Sequence, residues 1–327
     1  MTSTITHHTL SRRQFSVGDL QFDALIGGEG PLVMLLHGFP ESGRSWHAQV
    51  QALAEAGYRA VAPDLRGYGG SSKPPRVEDY ALMRSVGDVV GIADALGADR
   101  FTVVGHDWGG GLAWHAALAV PERVAAVFVL GIPFTPRSPT PPDPTFAAIP
   151  RETFFYIRYF QEIGRAEREL DRDLKYSLKT LYWAASGDAP LGQWQVPKQG
   201  DAGILDGQSP PTGDLAWLSD ADLAACVATF EHAGFGPPLN WFRNLLRNWQ
   251  ETERFAGESV RQPTGFVVGE KDVSLLLLRD AIETMPAKVP DLRVNLILPG
   301  VGHWTQQEAA TKVNATLLDF LDSVGPP

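Results

Sequence analysis

Three residues in this chain have side chains and positions suited to covalent hydrolysis: Asp107, Asp272 and His303. Asp107 sits in Gly105-His106-Asp107-Trp108-Gly109-Gly110, directly after the apolar run Phe101-Thr102-Val103-Val104 and before a segment rich in Ala and Leu. Small residues around a strand-to-helix turn let the chain bend sharply and hold the central side chain exposed above the sheet. In the familiar Gly-x-Ser-x-Gly form of this turn the central serine needs a base to activate it and attacks acyl carbons. A carboxylate is already ionised near pH 7 and can displace at a saturated carbon. The aspartate therefore points away from ester or peptide cleavage.

A base and its orienting acid are expected downstream, in the order nucleophile, acid, histidine. Asp272 follows Val267-Val268-Gly269-Glu270-Lys271, and His303 lies in Pro299-Gly300-Val301-Gly302-His303-Trp304. Each falls just past a predicted strand, where catalytic loops belong in open sheets. A lone histidine is more often a surface or satisfied core residue, but three correctly ordered residues reverse that weighting. His7 and His8 lie at the N-terminal end, His47, His115 and His232 fall in predicted helices, and His37 and His106 flank the site. His37-Gly38-Phe39-Pro40 follows the third predicted strand. The backbone N–H groups of Phe39 and Trp108 are assigned to an oxyanion hole, since donors fixed by tight turns stabilise negative charge without reorganising. A plain turn punctuated by Gly38 and Pro40 is the competing reading.

The elements that must position these residues follow an α/β pattern: a mostly parallel, doubly wound sheet with an inserted helical cap. Strands are expected at Gln14-Val17, Phe22-Ile26, Leu32-Leu36, Arg59-Ala62, Phe101-Gly105, Val124-Leu130, Gly265-Val268 and Arg293-Leu298. Helices are expected at Trp46-Glu55, Leu82-Leu96 and Gly110-Ala119. Seven prolines between Pro133 and Pro150 break this alternation and cannot continue a helix or a ladder. They read as an ordered hinge into the cap, where Leu170, Leu174, Leu178 and Leu181 recur at helical spacing and Asp222-Glu231 and Leu239-Trp249 are helical. Gly187-Asp214 reads as a long loop, and a helix from Thr305 or Glu308 to Leu321 closes the chain. The boundaries are thus 1–132 for the first part of the core, 133–250 for the cap and 251–327 for the second part.

A formal net charge of -10 argues against nucleic acid or an anionic membrane as partner, because phosphate contacts need clustered Lys and Arg. No window approaches a membrane span. Thr9-Leu10-Ser11-Arg12-Arg13-Gln14-Phe15 superficially resembles a twin-arginine signal, but no apolar h-region follows. The single cysteine, Cys226, suits a reducing, cytoplasmic setting. Monomer and homo-oligomer both stay open.

The residues resemble a known family. His37-Gly38-Phe39-Pro40-Glu41-Ser42, Asp64-Leu65-Arg66-Gly67-Tyr68-Gly69-Gly70-Ser71-Ser72, Gly105-Asp107-Trp108-Gly109-Gly110, Tyr159-Phe160-Gln161-Glu162 and Gly302-His303-Trp304-Thr305 together look like a soluble epoxide hydrolase of the α/β-hydrolase fold. The resemblance covers the chain from about Arg13 onward. It implies Asp107 as nucleophile, His303 as base and Asp272 as its partner, with a small apolar epoxide and water as reactants and no metal or organic cofactor. It also implies two cap tyrosines that hold and protonate the epoxide oxygen, as a phenol with pKa near 10 can. Tyr156 matches the first, although an apolar helix would account for it as packing alone. At the second, this chain reads Leu239-Asn240-Trp241-Phe242-Arg243-Asn244, so Phe242 keeps the ring and lacks the phenol. Water, Tyr159 or Tyr182 are candidate substitutes. Phe242, Trp241, Phe134 and Phe160 are expected to contact substrate in an aromatic pocket.

Two rivals stand beside this reading. A haloalkane dehalogenase would use the same nucleophile, with the indole of Trp108 cradling the halide, though Phe39 stands where such enzymes often present Asn. A non-catalytic receptor would use the elbow and cap only to enclose a small apolar molecule.

Overall fold

The computed structural model describes residues 9–142, 148–190, 193–195 and 198–325. His7, His8 and Pro144 of the sequence reading lie outside them. Eight strands form one sheet: β1 Ser11–Val17, β2 Leu20–Gly27, β3 Leu32–Leu36, β4 Arg59–Pro63, β5 Phe101–His106, β6 Val124–Leu130, β7 Thr264–Gly269 and β8 Leu292–Leu298. Their spatial order is β1-β2-β4-β3-β5-β6-β7-β8, and β2 runs antiparallel to both its neighbours while the rest are parallel.

β3, β5, β6 and β7 are buried along their whole length, which is why they read as near-continuous apolar runs. Side chains alternate between the two faces. Leu32, Met34 and Leu36 join one core cluster with Leu112 and Trp114 of α3, while Val33 and Leu35 join another with Val50, Leu317 and Phe320. Three helices lie between strands, α1 His47–Glu55, α2 Leu82–Ala95 and α3 Trp108–Ala119; they supply Val50, Leu112 and Trp114, whereas Leu317 and Phe320 come from the last helix of the chain. β1 is longer than expected because Arg12 is anchored by Asp23 at 2.7 Å and by Asp64 at 2.5 Å.

The segment between β6 and β7 carries α4 Tyr156–Gln161, α5 Arg165–Leu170, α6 Leu174–Ala185, α7 Asp220–Phe230, α8 Gly236–Phe242 and α9 Leu245–Glu251. Two periodicities that read as continuous are broken here. The leucine series splits between α5 and α6 because the Asp173 carboxylate caps the Tyr176 amide at 2.9 Å and starts a new helix. Asp173→Ala is expected to cost about 1 kcal/mol of stability, read by chemical denaturation. The Leu239-Trp249 stretch splits at Asn244, whose amide donates to the Val77 carbonyl at 2.6 Å. His232 lies in the turn after α7 rather than in a helix, and Cys226 is buried in α7.

This segment is tied to the sheet along α8 and α9. Trp241 Nε1 donates to the Arg66 carbonyl at 3.1 Å, and the Leu82 amide donates to Asn248 at 2.8 Å. After β7 come α10 Val273–Leu277 and α11 Arg279–Thr284, and after β8 come α12 Thr305–Glu308 and α13 Ala310–Val324. Among the described residues no helix is long and apolar enough to cross a membrane.

Candidate active site

The chain leaves β3 toward β4 and then returns to β5 on the opposite side. The carboxyl ends of β3 and β5 therefore flank a crevice at a topological switch point. Phe39 follows β3 and Asp107 follows β5 at its mouth. Asp107 has φ 52° and ψ −119°, and it is the one non-glycine residue with positive φ among those described. Such a backbone is costly for a side chain with a Cβ and tends to persist where function needs it. The turn closes only because its neighbours are small: a Cβ on Gly109 would lie 2.0 Å from the Leu36 carbonyl oxygen, and one on Gly38 would lie 2.4 Å from the Asp107 Cβ.

The Phe39 amide donates to Asp107 Oδ1 at 2.8 Å. Trp108 opens α3, so its N–H belongs to the first helical turn, whose amides have no partner within the helix. Of the two donors assigned from the sequence, Phe39 thus reaches the carboxylate, and Trp108 follows Asp107 directly in the chain. Oδ2 of Asp107 lies 3.9 Å from His303 Nε2, too far for a direct hydrogen bond. On its other side His303 Nδ1 lies 3.1 Å from both oxygens of Asp272. Asp272 is fully buried at the start of α10, where its Oδ1 also accepts the Ser274 amide at 2.8 Å.

These contacts set the charges. Burial alone would raise the Asp272 pKa, but His303 and the Ser274 donors offset it and hold the carboxyl below its usual value. Burial would likewise lower His303, yet Asp272 first and Asp107 next raise it to about 9. Both carboxylates therefore favour the protonated, cationic form of the resting imidazole. Burial, followed by Asp107 and Asp272, pushes the Tyr156 phenol up, so it stays protonated.

A cavity of about 300 Å³ joins Asp107, His303, Tyr156, Phe39, Phe160 and Phe242. Trp241 and Phe134, expected to contact substrate, do not line it. Trp241 is buried behind the wall, its indole meeting Trp108 edge-on at 5.9 Å. Phe134 and Trp108 line a second cavity of about 270 Å³ together with Trp114 and Leu245. Tyr159 donates to Glu169 and Tyr182 donates to the Pro40 carbonyl, so the two candidate substitutes for the missing phenol are engaged elsewhere.

The sequence reading missed the remainder of the wall, including Val273, Leu277 and Leu278. The run Ser274-Leu275-Leu276-Leu277-Leu278 was its only signal, because Leu277 is 59% exposed beside an apolar cavity. It also gave no role to Glu41. That carboxylate is 1% exposed, meets His106 Nδ1 at 2.7 Å and accepts from the Gly38 amide and from Gln306. His106 Nε2 lies 2.9 Å from the His303 carbonyl oxygen, so a second buried pair braces the loops carrying Phe39 and His303. His37 is also structural. Its Nε2 accepts the Leu65 amide at 2.9 Å, leaving Nδ1 to donate to the Gly38 carbonyl, and burial lowers its pKa.

Residues 31–201 match the α/β-hydrolase fold family. The chain is similar to epoxide hydrolase A of Mycobacterium tuberculosis, with 41% identity over 89% of this chain and 90% of that protein. It is also similar to bifunctional epoxide hydrolase 2 of Mus musculus, with 37% identity over 90% of this chain and 52% of the mouse protein. Among solved structures, epoxide hydrolase A from Mycobacterium thermoresistibile superimposes with a TM-score of 0.92 at 39% identity, covering 98% of this chain and 100% of that one. An epoxide hydrolase from an endophytic Streptomyces gives the same TM-score and identity over 96% of each chain.

Proposed function

The chain belongs to the epoxide hydrolase family of the α/β-hydrolase fold, and from that premise we propose that it hydrolyses a small apolar epoxide to a vicinal diol through an ester on Asp107. The observation that carries this reading is the division of labour on one carboxylate: Oδ1 is held by the Phe39 amide while Oδ2 faces His303 and the cavity. Oδ2 bonds to an epoxide carbon, the ring C–O bond breaks, and its electron pair goes to the oxygen, which takes the Tyr156 proton. Residues 133–250 act as the cap that brings this phenol over Asp107.

Esterification removes the charge of Asp107, one of the causes of the raised His303 pKa. The imidazolium can then pass its proton through solvent to the Tyr156 phenolate and serve as base. Water attacks the ester carbonyl and gives a proton to His303, while the Phe39 and Trp108 amides stabilise the oxyanion on Oδ1. Collapse releases the diol oxygen, which recovers the proton from His303, and the acid proton left on Asp107 passes to His303, restoring the carboxylate and the imidazolium. Asp107, His303, Asp272 and Tyr156 are the residues of the reaction, with Phe160 and Phe242 as apolar walls.

Tyr156 on the cavity shared with Asp107 weighs against the dehalogenase, which has no purpose for a phenol there. The strained backbone at Asp107 weighs against a receptor, which has no use for it. In oxygen-18 water, a single turnover is expected to label the Asp107 carboxylate and release unlabelled diol, with label reaching the diol in later cycles. Label in the first diol would mean direct attack by water and would sink the ester. Halide release from bromoalkanes without diol from epoxides would favour the dehalogenase.

A further inference from the structure

We infer that this site opens terminal epoxides at the less substituted carbon, because one phenol serves the departing oxygen and Phe242 presents only carbon beside it. The inference rests on the reading of Asp107 as the group that bonds to the epoxide, and it concerns which carbon receives that bond.

The hydroxyl groups around the cavity are already committed, with one exception. Ser274 donates to the Gly131 carbonyl at 2.9 Å, Tyr182 donates to Pro40 at 2.9 Å, and Tyr159 is spent on Glu169. Tyr156 has no acceptor among the described residues. Phe242 stands next to it with ring centroids 6.3 Å apart, and its ring is held edge-on by Phe160 at 4.9 Å, Trp108 at 5.0 Å and Phe39 at 5.2 Å. Edge-to-face contacts contribute beyond simple burial, and Gln161 fixes the Phe242 carbonyl at 3.0 Å. The ring is therefore locked in place as a wall.

The number of donors governs how charge develops. Two donors let the oxygen depart ahead of the nucleophile, leaving positive charge on carbon, which a substituted or benzylic carbon bears best. With one donor, the oxygen departs only as the Asp107 oxygen pushes in: the new C–O bond forms as the ring C–O bond breaks, the electron pair goes to oxygen, and the Tyr156 proton follows. Crowding then chooses the carbon, and Phe39 and Phe160, whose rings meet at 5.6 Å, line the cavity with Asp107.

Styrene oxide turned over repeatedly in oxygen-18 water reports the choice, since label transferred from Asp107 marks the attacked carbon and mass fragmentation locates it. The wild-type protein is expected to place most of the label on the terminal carbon. Phe242→Tyr is expected to raise kcat and to shift the ratio toward the benzylic carbon by about tenfold. Mostly benzylic label in the wild type, or an unchanged ratio in a folded Phe242→Tyr protein, would overturn the inference. Rates of the wild type on para-substituted styrene oxides give a check that needs no variant: a weak dependence is expected, and steep acceleration by electron-donating groups would contradict it. Absence of diol from every epoxide would instead remove the epoxide reading and this inference with it.

Discussion

Asp107→Gly is expected to yield a protein inert toward epoxides yet harder to unfold. Loss of turnover should be at least about 10⁴-fold, as for removal of a covalent nucleophile. The gain in stability comes from the backbone: φ 52° at Asp107 is strained for a residue with a Cβ and open to glycine. Strain of this kind costs about 1–3 kcal/mol, and the extra freedom of an unfolded glycine returns part of it, so a net rise of about 1 kcal/mol is expected by denaturant titration. Glycine also removes a carboxylate that favours the protonated forms of both His303 and Tyr156, and that loss offsets part of the gain. Diol formation within a hundredfold of wild type, or a lower unfolding midpoint, would contradict the assignment of Asp107.

His303→Gln is expected to stop the reaction halfway. Asp107 keeps its Phe39 contact and can still attack, but the ester has no base to activate water, so steady-state diol formation should fall by about 10²–10⁴-fold. Intact-protein mass spectrometry should show the chain heavier by one epoxide. An unmodified mass after incubation would argue against the ester. The same residue makes stability depend on pH. A histidine raised to about 9 in the folded protein contributes its full share below its ordinary value of about 6.5. That share is lost as pH rises through about 9. Asp272 acts at the other end, since its lowered pKa gives stability that disappears as pH falls through the folded value. Unfolding midpoints across pH should therefore drop on the alkaline side for the wild type and not for His303→Gln; parallel curves would remove the coupling.

The strands were legible because their neighbours demand what propensity also favours. Leu32–Leu36 and Val124–Leu130 are buried on both faces, so an unbroken apolar run is both necessary and visible. The elbow was legible for a related reason: Gly38 and Gly109 approach other groups too closely for any side chain, and so must appear as glycine. The inserted helices were harder. Their breaks depend on single contacts, the Asp173 cap on Tyr176 and the tertiary bond from Asn244 to Val77, which leave the leucine spacing intact. The aromatic wall was half legible. Phe160 and Phe242 point into the cavity, whereas Trp241 and Phe134 pack beside it, and aromatic character alone does not say which way a ring faces. Glu41 escaped notice because a carboxylate in a loop ordinarily belongs to water, and only the paired His106 and the Gly38 amide make it a buried one.

Asp272 holds the imidazole with the same carboxylate that starts α10, the short helix whose Val273 and Leu277 form part of the cavity wall. Wall and proton relay thus share one bolt. Rebuilding that helix to admit bulkier guests would also re-aim the ring of His303, so tolerance for size and speed of release from the protein are tuned together here.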